Sequence, residues 1–433
     1  MTTTVLSAVV MCVLPVSVSA MSSVAPTPWL AAARARYASL QGEAPGAKDS
    51  NPMRMFAAYA NMTGADATAE PPLPSYKSLI SEGVASVWSA LDNHYNPDAV
   101  WGFSDEAYQL MTDDQTRTPL FAKAIAQRIG ESPDKTLTIL DIGTGPFALL
   151  SILAAEAGAR KVYAVEVNPD VARRARETIE AAGWSDVIEV LEGFSTLLEL
   201  PEKVDVVVSE IVGSIASEEG LYASIRDAHA RFVKEPNRHD SWIPHTVETL
   251  AAPCSYPLHY ALRLPRYDWA GIEEPLRISC LNPALLALAT PQRVESIAFA
   301  DGAPTPSPVD AAFEVTEATL KRNERVYLEA LRKQRVEVET AKLHAGLAAR
   351  SLSGLAMWPR LVLRGDDEIV VDSRGPGSSG TSAAPGYSAW QTVLPLMHGL
   401  PVAVEAGDVV RTRSDVDLPE SFEEPVWYSI EYT

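Results

Sequence analysis

Between Thr136 and Asp240, two hydrophobic periods take turns along the chain. Short apolar runs, TLTILDIG (136–143), KVYAVEV (161–167), DVIEVLEG (186–193) and VDVVVSE (204–210), are rich in Val and Ile. Between them, FALLSILAAEAG (147–158) and DVARRARETIEAAG (170–183) place apolar residues every three or four positions. The first texture suits buried strands and the second suits helices. Strands separated by helices of this length predict a parallel, doubly wound, Rossmann-like α/β sheet over 136–241. A ligand then sits beyond the strand C-termini.

On either side the pattern changes. Residues 50–75 are rich in Pro and Ala and read as linker, while SYKSLISEGVASVWSALDNHY (75–95) and DEAYQLMTDDQTRTPLFAKAIAQRIG (105–130) carry helical spacing. The segment 51–135 is therefore expected to be linker followed by N-terminal helices. After residue 242 strand-like runs follow one another: SYPLHYALRL, RLVLRG, EIVVDS, WQTVLPL, PVAVEAGDVV and VWYSIEY. They predict an antiparallel β-barrel domain over 242–433. One long, charged helical run at about 315–350 is inserted in it, and the Gly/Ser stretch 375–386 reads as a loop.

Residues 1–50 are set aside from the fold as a leader. The apolar run 4–20 ends in Val-Ser-Ala like a signal peptide, and the Ala/Ser-rich stretch behind it, with Arg34 and Arg36, is transit-like. Organelle or secretory-route targeting is the expectation; an untargeted leader with Met21 as start, leaving a cytoplasmic protein, is the alternative. No stable membrane association of the mature domain is expected.

A formal charge of −20 argues against nucleic acid as a partner and favours a basic one. The three cysteines show no metal-ligand spacing, so no metal site is expected, and a Cys254–Cys280 bridge stays open.

The candidate chemistry begins at LDIGTGPFA (140–148), where Gly143 and Gly145 stand between a strand and a helix. Glycines there let backbone N–H groups approach a ligand closely. Glu166 ends the next strand, where a carboxylate accepts from both ribose hydroxyls of a nucleotide. Two cofactors compete, a nicotinamide dinucleotide and S-adenosylmethionine. The dinucleotide calls for a second nucleotide-binding half and a proton-relay residue, and neither is visible. Asp141, in front of the glycines, suits the ammonium of S-adenosylmethionine.

From about residue 80 onward the chain resembles the protein arginine N-methyltransferases. The resemblance rests on YQLMTDDQTRTPLFAKAI (108–125), LDIGTG, VYAVEVNP, VSEIVGSIASEEG (208–220), WIPHTVETLAAP, LSGLAMWPRLVL and WQTVLPL, in that order. It implies an S-adenosylmethionine-dependent enzyme that methylates guanidino nitrogens of arginine in a basic protein or peptide, with a homodimer possible. It makes Glu210 and Glu219, nine positions apart, the pair that grips the substrate guanidinium. A planar, permanently charged guanidinium offers a fork of donors that two carboxylates can hold. The resemblance places Arg117 on the cofactor carboxylate and Met111 beside the target nitrogen, with Tyr108 lining the same pocket. Ser195 and Thr196 stand where the family carries an adenine-side acid, and Ser388 or Ala389 where it carries a histidine before Trp390. These departures bear on substrate. A methyltransferase for a small guanidino or amino metabolite, and a non-catalytic S-adenosylmethionine-binding scaffold, are the rival readings.

Overall fold

The computed structural model describes residues 51–65, 72–81, 83–90, 108, 111–114, 117–132, 134, 136–263, 266–272, 274–365, 368–375, 390–418 and 426–433. The expected leader, most of the Gly/Ser loop, Ser388 and Ala389 lie outside them.

Five parallel strands form the predicted α/β sheet, in the spatial order 188–192, 161–166, 138–142, 206–209, 242–243. All five residues of Thr138–Ile142 and all four of Val206–Ser209 are buried, as helices on both faces require of central strands. The chain steps outward from 138–142 to 161–166 and 188–192, then returns to lay 206–209 on the other side. The strand order therefore reverses between 138–142 and 206–209, and the crevice at their C-terminal ends is where such sheets bind ligands. Gly143 and Glu210 stand there, one at the end of each strand.

The C-terminal half is antiparallel and curls into a half-barrel. Its larger sheet runs 292–298, 246–255, 354–364, 391–394, 276–279, and its smaller one 84–89, 427–432, 409–417, 309–314. Cys254 and Cys280 are separate, buried thiols. Among the described residues no helix is long and apolar enough to cross a membrane.

Four local expectations are corrected. The stretch read as linker holds a helix, Pro52–Thr63, with the Asn51 side chain capping it and Pro52 in its first turn. Its Phe56 is fully buried and meets Tyr260 and Tyr327 edge-on, at centroid distances of 6.2 and 5.8 Å. The segment 75–95, expected to be helical, gives one short helix (Tyr76–Ile80) and then a strand, Val84–Ser89. That strand pairs with Trp427–Tyr432, and Trp88 stacks on Tyr428 at 5.7 Å. Pairing with a strand about 350 residues away (Val84 opposite Tyr432) outweighs a local periodicity that fits either element. The run 255–264, read as strand, contains the buried helix Pro257–Ala261, started by its proline. Finally, the insertion is two packed helices, Glu317–Lys333 and Val338–Ala349, separated by a turn in which Arg335 takes a positive φ of 61°.

Candidate active site

The first wall of the site is the turn after Thr138–Ile142. Gly143 and Gly145 have φ of 79° and 66°, left-handed values that disfavour any side chain. Space at Gly143 is short as well, because a Cβ there would meet Ile211 Cγ2 at 2.9 Å. Asp141 is buried beneath the turn, and its Oδ2 accepts from the Thr144 and Ser151 hydroxyls, each at 2.7 Å. Its Oδ1 is buried with no hydrogen-bond partner among the described residues. Burial, only partly offset by those hydroxyls, pushes the Asp141 carboxyl up to about 6. An unpaired buried carboxylate oxygen is costly until a donor arrives, and a ligand ammonium is such a donor.

Glu166 closes the neighbouring strand. Its oxygens accept from the Gly145 N–H at 3.1 Å and the Asn168 N–H at 3.0 Å. Burial pushes the Glu166 carboxyl above its ordinary value, against the pull of those N–H groups. A carboxylate with about four acceptor positions keeps capacity for ribose hydroxyls. Ser195 is buried and Thr196 half-buried in the turn after 188–192, and Gly193 of that turn donates its N–H to the Glu166 carbonyl at 2.9 Å. Asp141, the two glycines and Glu166 thus gather around one turn, and the turn bearing Ser195 and Thr196 is tied to Glu166 through Gly193. They fit an aminoacyl nucleoside such as S-adenosylmethionine.

The second wall is the loop 210–220. Glu210 receives the Arg117 guanidinium on its Oε2. Arg117 also donates to the Met111 carbonyl at 2.7 Å and lies over the Trp390 ring at 5.5 Å. The chain itself therefore seats a guanidinium on Glu210; a cofactor carboxylate, the partner expected for Arg117, would have to compete with this pair. Tyr108 stands at the glycine turn, where its Cε1 is 3.6 Å from a Cβ built on Gly145. Its ring faces the cofactor side, whereas Met111, half-buried, borders the Arg117–Glu210 pair.

Electrostatics sets the two glutamates apart. Burial raises the Glu210 carboxyl, and the Arg117 charge opposes it. Glu219 is pushed up to about 8 by burial and by the negative charges of Glu210 and Glu218, against Arg117 and Arg277. A carboxyl so poised is neutral below that value until a cation arrives to ionise it.

Sequence reasoning missed what holds this loop. Glu218 makes a two-pronged pair with Arg277 at 2.5 and 3.1 Å and accepts the Ile215 N–H at 3.0 Å. The Ala216 N–H donates to Thr249 Oγ1 at 3.0 Å, and Thr249 donates to Glu295 at 2.6 Å. Ser217 and Tyr428 share a hydrogen bond at 2.9 Å. Trp390 Nε1–H donates to the Val212 carbonyl at 2.8 Å, and the Gln391 N–H to Ser214 Oγ at 3.2 Å. Only Trp390 was visible beforehand, through the family pattern, and it does reach the site.

Residues 87–237 match the family model described as PRMT5 arginine-N-methyltransferase. Protein arginine N-methyltransferase PRMT10 of Arabidopsis thaliana is 39% identical over 124 residues, covering 29% of this chain and 31% of that protein. An arginine N(omega)-methyltransferase of Streptomyces achromogenes is 46% identical over 101 residues, 22% of this chain and 28% of that protein. The chain thus matches about a third of the length of these curated relatives. In fold it is similar to the Trypanosoma brucei PRMT1 enzyme–prozyme complex with AdoHcy. That likeness has a TM-score of 0.54 and 18% identity, and covers 75% of this chain and 93% of the other. The resemblance to the protein arginine N-methyltransferases therefore holds by sequence in the cofactor-binding half and by fold across both.

Proposed function

We propose that the chain is an S-adenosylmethionine-dependent arginine N-methyltransferase acting on protein or peptide arginine. The observation that carries this reading is the pairing of two half-buried carboxylates, Glu210 and Glu219, beside the reversal point of the sheet. One of them is raised to about 8 by desolvation and by the neighbouring carboxylates, and the other already accepts a guanidinium. Such a pocket is short of one cation, and a second guanidinium supplies it in the right shape.

S-adenosylmethionine, when bound, would supply an electrophilic methyl group and be left as a neutral thioether. Asp141 and Glu166 would hold that molecule by its ammonium and ribose ends, and the glycine turn would admit it to the backbone. Glu219 ionises as the substrate arginine enters, and with Glu210 it fixes the plane of the guanidinium. Holding one terminal nitrogen in line removes much of the entropic cost of the reaction. The carboxylates also draw positive charge away from the reacting nitrogen, which is otherwise a poor nucleophile. As the nitrogen gains its methyl it loses a proton, and Glu219 is the group poised to hold it. The acidic chain favours basic, arginine-rich acceptors.

The test offers the purified full-length chain labelled methyl donor with arginine-rich peptides and, separately, with a small-metabolite extract. Label in the peptide supports the reading. Label confined to small guanidino compounds replaces it with the metabolite reading, and cofactor binding without transfer with the scaffold reading.

A further inference from the structure

Glu218 stands next to Glu219 in the chain and reaches a strand of the barrel. Arg277, on the strand Leu276–Ser279, meets both of its oxygens, and both side chains are largely buried, with 14% and 6% of their areas exposed. The loop is wrapped tightly around this pair, since a Cβ on Gly213 would lie 2.5 Å from Glu218 Cβ. Leu276–Ser279 pairs with Gln391–Leu394, Arg277 opposite Val393. Trp390 and Gln391, which grip Val212 and Ser214, begin that neighbouring strand. One two-strand segment of the barrel thus holds the loop at three points.

A buried ion pair is a weak source of stability, because desolvating both charges offsets most of their attraction. Its effect here is on charge and position. The charged groups that act on Glu219 are Glu210 at the end of its strand, Glu218 in the same loop, Arg117 ahead of the helix Thr118–Gly130, and Arg277 from the barrel. Beyond them, Asp114 acts on Glu210 and Glu295 faces Glu218. Burial disfavours the Arg277 charge, yet Glu218 more than restores it and leaves Arg277 firmly protonated.

We propose that Arg277 is a positioning residue for the guanidinium clamp: through its pair with Glu218 it fixes the backbone presenting Glu219 and offsets the Glu218 charge beside it. This rests on the methyltransferase reading above. Removing the Arg277 charge strands Glu218 beside Glu219 and makes Glu219 harder to ionise. Removing the Glu218 charge leaves Arg277 unopposed and makes Glu219 easier to ionise.

The decisive experiment compares pH profiles of kcat/KM for an arginine peptide in the parent, Arg277→Gln, Glu218→Gln and the double variant. The acid limb should move up by about 1 pH unit in Arg277→Gln, about tenfold in rate at a pH below the limb. It should move down in Glu218→Gln and return to within about half a unit of the parent in the double variant. Peptide binding in the presence of S-adenosylhomocysteine, followed calorimetrically over the same pH range, should shift in the same directions. A purely structural pair would lower activity without opposite shifts. Unmoved limbs, or both single variants moving the same way, overturn the proposal. Should Arg277→Gln fail to fold, the downward shift in Glu218→Gln and the near-parental double variant still decide it. If the parent binds peptide but transfers no methyl, the functional reading fails and the pair is judged on binding alone. If it binds no arginine peptide at any pH, both fall.

Discussion

The glycine turn and the double-glutamate loop meet in one crevice, with Ile211 against Gly143, yet they are built by different means. The turn is local: Asp141, Thr144, Gly145, Ser151 and Glu166 satisfy one another within 25 positions of sequence. The loop is held from a distance, by Thr249, Arg277, Trp390 and Tyr428, all on barrel strands or at their ends. On the proposed reading, cofactor recognition then belongs to the α/β half, while the clamp for the acceptor is held by both halves. Substitutions in the two regions should separate cofactor affinity from turnover.

The largest effect is expected in the loop. Glu210→Gln and Glu219→Gln keep shape and remove charge, and each should cut methyl transfer by about 10²–10³. Affinity for S-adenosylhomocysteine, measured by calorimetry, should stay within about twofold of the parent. A parallel loss of cofactor affinity would erase the distinction between the two regions.

In the turn, Glu166→Ala should weaken S-adenosylhomocysteine by about 1–3 kcal/mol, the range for hydrogen bonds to a charged group. Once cofactor is saturating, turnover should recover. A lasting loss of turnover would mean that Glu166 also shapes the clamp.

The pH dependence sharpens the contrast. Glu219 is raised to about 8, so the unliganded enzyme holds that proton at neutral pH. Peptide binding near pH 7 should release close to one proton, read from binding enthalpies in buffers of different ionisation heat. For stability the sign is the reverse. A carboxyl raised on folding contributes fully below its unfolded value near 4.3, and that contribution is lost as pH rises toward 8.

Smaller effects are expected at the rim. Trp390→Phe removes the donor to Val212 and should cost about 1 kcal/mol of stability, with a higher peptide KM and unchanged cofactor affinity. Met111 borders the clamp, and a flexible thioether leaves room to turn a monomethylated nitrogen back for a second methyl. Monomethyl- and asymmetric dimethylarginine are the expected products, with Met111→Phe shifting their ratio in mass spectrometry. Predominantly symmetric product from the parent would rule this out.

How much was legible in the sequence follows the same division. The α/β half could be read because each strand, turn and cap is decided by adjacent residues, down to Asn168 capping the helix after Glu166. The spacing of Glu210 and Glu219 is visible too, but no neighbour in the sequence marks Glu218 as one half of an ion pair. Its partner Arg277 lies 59 residues away. The strand Val84–Ser89 was hidden for the same reason, since its partner is at the other end of the chain. The helix Pro52–Thr63 differs: Asn51, Pro52 and Gly64 are local start and stop signals, masked by the Pro- and Ala-rich composition around them.

The most direct test of the central claim is localisation of the methyl group on matched peptides. The full chain is incubated with S-adenosylmethionine and two peptides identical but for arginine or lysine at one position, and the products are fragmented by mass spectrometry. Methyl groups only on the terminal guanidino nitrogens of the arginine peptide, lost in Glu219→Gln, are the predicted result. Methylation of the lysine peptide, or undiminished transfer by Glu219→Gln, would contradict the account.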